Sequence, residues 1–256
     1  VVEKSDDPPS NLANAGIYLF KRWIFDELRV IPRSSRGEYE LTDGLNRAAK
    51  KADIEIVELN RWLEIGRPWD ILEANAVLLQ KLEPRILGVV EEGATLQGNV
   101  SIGRGTVVRS GAYIVGPVLI GEDSDIGPNC FIRPASCIGD NVRVGNAVEV
   151  KNSAIMSGTK IGHLSYVGDS VIGEGCNFGA GTICSNLRHD KGNIKSYIKG
   201  EKTDSGRRKL GVIMGHMVMT GINTSIYPGT VIDSGYWGRP AEVIRGYVSY
   251  DKPFQG

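Results

Sequence analysis

What this chain lacks narrows it first. Its 30 basic and 30 acidic side chains cancel to a net charge of zero. That removes the broad field by which a whole surface holds nucleic acid or an anionic membrane. No apolar run approaches the roughly twenty residues of a membrane span, and no signal peptide is visible. The four cysteines show no close pairing, which fits reduced thiols in a cytoplasmic protein better than a disulfide framework or a zinc ribbon. Histidine is scarce too, at three residues, so any site built from imidazoles has few candidates.

Glycine is the residue in excess, at 33, without the period of collagen. The excess belongs to another repeat. From Leu96 a large aliphatic residue recurs every six positions: Ile102, Val108, Ile114, Ile120, Ile126, Ile132, Ile138, Val144 and Val150. Four residues after each comes a compact one, from Val100, Thr106 and Ala112 to Val148 and Ala154. One five-residue step moves the register to Ile155, Ile161 and Val167, and a second moves it to Ile172 and Phe178. The pattern stops at Ser185 and resumes at Met214, Thr220, Ile226 and Ile232. Two inward positions in six describe a short strand plus a corner. Three such sides close a triangular coil, and residues 85–256 are expected to stack about five of them as a mainly β, parallel β-helix. A β-sandwich of short strands is the rival, but it gives no reason for a strict register of six. The repeat does not set the winding sense; parallel crossovers are usually right-handed.

Residues 1–84 read as part of an α/β domain. Ala15–Phe20 and Ile54–Leu59 have strand patterns, while 21–28, 41–51 and 70–82 have helical ones, the last stopped by Pro84. No glycine-rich phosphate loop is present, and a doubly wound sheet needs about twice this length. The chain is therefore expected to be the later part of a longer protein.

The register maps the polar residues. Arg133 and Lys151 are eighteen apart and fall on one outer face in successive coils, with Glu149 and Tyr166 stacked beside them. His163 falls on the corner leading into that face, Ala180 on the same corner one coil on, and Asn177 on the flank before it. A lone histidine is more often a satisfied core group, but this one is expected outside, beside two cations and a tyrosine. Stacked cations repel unless Glu149 or a bound anion such as phosphate compensates. The interruption at 185–209 is a strongly basic loop, either solvated or a binding loop for phosphorylated ligands. Cys130 and Cys176 are expected inside; Cys137 and Cys184 are candidates for exposure, without a base beside them.

These residues resemble a known family. Glu149-Val150-Lys151, the run His163 to Asp169 and the run Asn177 to Thr182 are similar to the acetyltransferase half of the bifunctional N-acetylglucosamine-1-phosphate uridyltransferase/glucosamine-1-phosphate acetyltransferases. Asn186-Leu187-Arg188 and Gly206 to Lys209 resemble the archaeal sugar-1-phosphate nucleotidylyltransferase/acetyltransferases. Glu3-Lys4, the run Pro9 to Gly16 and the run Trp62 to Asp70 resemble the later part of that family's nucleotidylyltransferase domain.

The resemblance implies a left-handed β-helix of hexapeptide repeats after a partial α/β nucleotidylyltransferase domain. It also implies a homotrimer and acetyl-CoA as donor to an amino-sugar 1-phosphate, in UDP-N-acetylhexosamine biosynthesis. His163 is then the general base. Arg133, Lys151, Tyr166, Asn177, Asn186 and Lys195 hold the acceptor; Ala180, His216 and Arg239 contact the coenzyme. In the first segment Glu3, Lys4, Asn14 and Gly16 are remnants of a sugar site. Glu64 stands where many relatives carry a metal-binding aspartate, the place of Mg²⁺ in nucleotidylyl transfer. Leu187 stands where the bacterial enzymes have tyrosine. Without the glycine-rich loop, uridylyl transfer is not expected from this chain alone.

Two other readings remain open at this level. A γ-type carbonic anhydrase also uses such a helix and needs three converging histidines, here His163, His189 and His216. A non-catalytic β-helix scaffold explains the repeat but not the polar face.

Overall fold

The computed structural model describes residues 1–3 and 6–250. The chain divides into two compact units, Val1–Glu64 and Ile65–Gly256.

The larger unit is a parallel β-helix. Its strands form three sheets of six, eight and eight strands, and each strand pairs with the equivalent side of the next coil. Partners lie eighteen residues apart early on, as in Val89 with Val107, and seventeen apart after the first short step, as in Glu149 with Tyr166. The nine aliphatic residues from Ile102 to Val150 in the six-residue register are all 1% exposed or less. Each contributes about 1.5–3 kcal/mol by leaving water. Inward hydroxyls are satisfied by the next coil: Thr106 Oγ1 donates to the Gly121 carbonyl at 2.7 Å and accepts from the Ser124 amide at 2.9 Å.

Part of the glycine excess has its cause at the corners. The second corner residue takes a left-handed backbone, as in Gly111 (φ 76°), Gly181 (φ 77°), Asn141 (φ 55°) and Leu164 (φ 51°). Glycine and asparagine enter that region at least cost. Each five-residue step removes one corner residue. Asn152 and Asp169 are then the sole corners, and the inward residues are Ser153 and Ser170, both fully buried. Ala154, expected inside, is partly exposed for this reason.

Three further expectations change. The helix Asp70–Leu79 is expected as the linker helix that ends the first segment at 84. It packs instead on the β-helix, inside the second unit. Trp69 and Leu72 bury against Val171, Ile194, Leu210 and Ile213. Val171 and Ile213 are outward residues of the third sheet, so an apolar exterior patch is what the helix covers. Asn75 Nδ2 also donates to the Ala135 carbonyl at 3.0 Å. The stretch 185–209 is no structureless loop: Lys195–Ile198 and Glu201–Asp204 form an antiparallel hairpin, with Lys199 and Gly200 both left-handed at its turn. Ile194 and Leu210 anchor it in that apolar patch. Cys184 is fully buried, because it continues the inward register and pairs in line with Ile226.

The smaller unit carries helices Ile24–Leu28 and Leu41–Ala48. Ala15–Phe20 and Ile54–Leu59 form no strand, since a strand exists only by pairing and neither finds a partner among the described residues. Lys4 and Ser5 lie outside the described residues.

Candidate functional site

The second sheet builds the polar face. Its strand Phe131–Ile132 pairs with Glu149–Lys151, which pairs with Tyr166–Gly168. Arg133 and Lys151 follow in line, as the register requires, but each already holds a carboxylate. Arg133 Nη1 is 2.8 Å from Glu149 Oε1 and its guanidinium lies over the Phe131 ring at 5.6 Å. Lys151 Nζ is 2.9 Å from Asp169 Oδ2.

Asp169 organises this face, and sequence reasoning missed it. It is 3% exposed at the corner after Tyr166–Gly168. Its Oδ2 accepts from Lys151 and, at 2.5 Å, from Asn186 Nδ2; its Oδ1 accepts from Asn152 Nδ2 at 2.7 Å. A buried carboxylate is tolerated when it is paired and fully hydrogen-bonded, as here. Asn186 Nδ2 also donates to the Tyr166 hydroxyl at 3.0 Å. Burial first, then the Asp169 charge, pushes the Tyr166 phenol above its usual pKa, so it stays protonated. The available signal was the five-residue step from Val167 to Ile172, which leaves a single residue at that corner.

His163 ends the strand Lys160–His163 of the first sheet and is exposed at the corner into the polar face. It does not point into the packed interior, and its imidazole has no hydrogen-bond partner among the described residues. Leu164, left-handed and 60% exposed, follows it. Asn177 lies exposed on the first sheet, beside Lys160 of the same strand as His163. Ala180 is on the equivalent corner one coil further, in line with the expectation.

The structure brings Arg133, Lys151, Tyr166 and Asn186 together on one face, with His163 at its edge. It does not bring Lys195 there. Lys195 is exposed on the hairpin, opposite Asp204, with its carbonyl against Gly229. His216 sits on a corner near the third sheet, where its Nδ1 accepts from the Glu174 amide at 3.0 Å. Arg239 is exposed, with its amide bound to Glu242 Oε2 at 2.9 Å.

In the first unit Glu3 accepts from Thr42 Oγ1 at 3.2 Å, while Asn14 Oδ1 accepts from the Gly16 amide at 3.1 Å in a local turn. Among the described residues no three His, Cys, Asp or Glu side chains converge to hold a metal. Among those residues of one chain, His163, His189 and His216 do not form the triad of a carbonic anhydrase.

A cleft of about 630 Å³ opens beside Asp169, lined by Leu187, Lys191, Arg207, Arg208 and Lys209. Among the described residues no helix is long and apolar enough to cross a membrane.

The chain is similar to known proteins. Residues 1–81 match the nucleotidyl transferase family model and residues 114–234 the GMPPB C-terminal domain model. The chain is 52% identical to the "Bifunctional protein GlmU" of Methanocaldococcus jannaschii, over 92% of this chain and 58% of that one. It is 46% identical to the "Bifunctional sugar-1-phosphate nucleotidylyltransferase/acetyltransferase" of Sulfurisphaera tokodaii, over 100% of this chain and 64% of that one. The chain thus spans about six-tenths of these relatives. Among solved structures it is similar to a UDP-N-acetylglucosamine acyltransferase from Campylobacter jejuni, at 16% identity, 59% and 68% coverage and a TM-score of 0.30.

Proposed function

Because the chain is a homologue of the archaeal bifunctional sugar-1-phosphate nucleotidylyltransferase/acetyltransferases, we propose that its β-helix transfers acetyl from acetyl-CoA to the amine of an amino-sugar 1-phosphate. The acceptor is glucosamine 1-phosphate, galactosamine 1-phosphate or both. One observation carries this reading: an exposed imidazole at the edge of a face that presents Lys151, Tyr166 and Asn186 already oriented by a buried carboxylate.

The acceptor amine must lose a proton to attack the thioester carbonyl. Neutral His163 takes that proton as the C–N bond forms, and coenzyme A leaves as the thiolate when the tetrahedral intermediate collapses. General base catalysis of this kind is worth about 10² to 10⁴ in rate. Tyr166, Asn186, Lys151 and Arg133 orient the sugar, which turns an encounter into an aligned attack. The Asn186–Tyr166 hydrogen bond, with Asp169 holding Lys151 and Asn186 and Glu149 holding Arg133, fixes them before the ligand arrives.

Ala180 is small enough to let the coenzyme pass the corner beside His163, and His216 and Arg239 are assigned to the same ligand. Asn177 and Lys195 belong to the acceptor site only if neighbouring prisms pack side by side. His163 sits on a convex corner, which one small sugar cannot wrap. A trimer supplies the concave site, with Lys195 coming from an adjacent subunit. The match of residues 1–81 to the nucleotidyl transferase family supports a second activity, nucleotidylyl transfer, in the same protein.

The test is consumption of acetyl-CoA with each amino-sugar 1-phosphate, together with light scattering at the assay concentration. Turnover with neither acceptor rejects the acetyltransferase reading; full activity from a monomer rejects the shared site.

A further inference from the structure

We propose that Gly162 is a specificity-determining residue: its missing side chain leaves the backbone beside His163 open to the acyl end of the thioester donor. This rests on the acetyltransferase reading and adds to it the side from which the donor meets the base.

The fold of the chain does not require this glycine. Gly162 lies inside the strand Lys160–His163, facing outward, one residue before the imidazole. Glycine weakens a strand, because it has the most backbone freedom to lose and no side chain to pack. It belongs there when φ must be positive, or when another backbone comes too close for a Cβ. Its equivalents on the neighbouring coils each meet one of these conditions. Gly127 has a φ of 104°. A Cβ on Gly145 would stand 1.9 Å from the Gly162 carbonyl oxygen. One on Gly179 would stand 2.4 Å from the Gly221 backbone, and one on Gly221 would stand 2.3 Å from the Arg239 backbone. Gly162 meets neither condition. Its φ is outside the positive range, and a Cβ placed on it has no neighbouring atom within 4 Å. A strand glycine that neither conformation nor crowding explains marks a place where a ligand lies against the backbone.

That place adjoins the base. Gly162 is flanked on one side by Lys160 and Asn177, exposed and paired strand to strand, and on the other by the corner residues His163 and Ala180. Gly145 precedes it by one coil and Gly179 follows it by one, so neither neighbour on its own row carries a side chain over it. Lys151 and Tyr166 stand past the same corner, on the second sheet, with Asn186 bonded to Tyr166. The two faces suit different reactants. The second sheet offers groups that hydrogen-bond a sugar; Gly162 offers bare backbone, which orients no hydroxyl. A thioester is flat, small and weakly polar, and it needs close approach more than it needs partners. Lying against Gly162, its carbonyl carbon comes nearer to the His163 corner than any side chain there would allow. The acceptor amine then reaches the imidazole from the second sheet and the donor from the first. A displacement of the reacting carbon by about 1 Å costs about 100-fold in rate.

The experiment compares wild type, Gly162→Ala and Gly145→Ala. Thermal melts and light scattering report folding and assembly, calorimetry reports binding of acetyl-CoA and of free coenzyme A, and thiol release reports transfer from acetyl-CoA and propionyl-CoA. The Gly162→Ala protein should melt no lower than wild type and keep its mass, whereas Gly145→Ala should melt lower. In Gly162→Ala the kcat/KM for acetyl-CoA should fall by about 10-fold or more, and that for propionyl-CoA by about 3-fold further. The acceptor KM should stay within about 2-fold, and affinity should fall more for acetyl-CoA than for free coenzyme A. Unchanged kinetics would overturn the proposal. So would a lowered Tm or a changed mass, which would give the space to a neighbouring chain, and so would a rise confined to the acceptor KM. Weakened acetyl-CoA binding in Gly162→Ala, in a protein whose wild type turns over neither acceptor, would sink the acetyltransferase reading and leave the donor's place standing.

Discussion

Lys151 and Asp169 lie on successive coils, and the lysine ammonium meets the buried carboxylate at 2.9 Å. The pair matters more than its single contact, because the same carboxylate holds Asn152 and Asn186, and Asn186 holds Tyr166. One corner residue thus orients three side chains of the polar face.

Replacing Asp169 by alanine leaves a lysine with 19% side-chain exposure without its counter-charge, the Asn152 amide without its acceptor and Asn186 with the Tyr166 hydroxyl alone. A fully buried pair broken in this way costs about 3–5 kcal/mol. The water still reaching Lys151 brings the expected loss to about 2–3 kcal/mol, or roughly 5–10 °C in Tm. Thermal melts check the stability, and the acceptor KM should rise more than the KM for acetyl-CoA. An unchanged Tm would show that the network is not holding the corner.

The His163→Ala protein is expected to fold and melt like wild type, since the side chain is exposed and makes no hydrogen bond among the described residues. Acetyl transfer should fall by at least about 10²-fold in kcat, with coenzyme binding retained. Wild-type turnover, measured as thiol release, would remove the histidine from the mechanism.

Leu164 follows that histidine in a left-handed conformation (φ 51°) with its side chain 60% exposed. The region costs an ordinary side chain about 1–2 kcal/mol and asparagine less. Leu164→Asn should therefore raise stability by about 0.5–1 kcal/mol in denaturant titration. A destabilised variant would show that the leucine makes a packing contact in the assembled protein.

Burial pushes the Cys130 and Cys184 thiols up to about 12, and it raises Cys137 and Cys176 as well. A raised thiol pKa keeps the unreactive neutral form throughout the neutral range. At pH 8 the native protein should give no rapid reaction with a disulfide reagent, and all four thiols should react in guanidinium. Rapid native labelling of Cys184, located by peptide mass, would contradict its place in the core.

Much of the β-helix was legible because its cause is local. Side chains alternate across an extended strand, so a period of six states which residues face inward and which polar residues share an outer face. Arg133, Lys151, Glu149, Tyr166 and His163 were placed on that basis, and the structure agrees. The same locality misled at the short step, where a count of four from Val150 chose Ala154 over Ser153. It misled again at Ala15–Phe20 and Ile54–Leu59, since a strand pattern carries no information about whether a partner strand is present.

By itself, then, the sequence determined the coil, its register and the edge from which His163 projects. Only the tertiary structure decided that Asp169 is the buried hub, that Trp69 and Leu72 cap the third sheet, and that Arg207 and Lys191 meet across one cleft. The reason is physical. Strand alternation and corner geometry act between neighbours in the chain, whereas those contacts join an interruption of the repeat to coils already formed. No period runs through an interruption, so its docking is set by which apolar patch and which carboxylate the finished coil exposes.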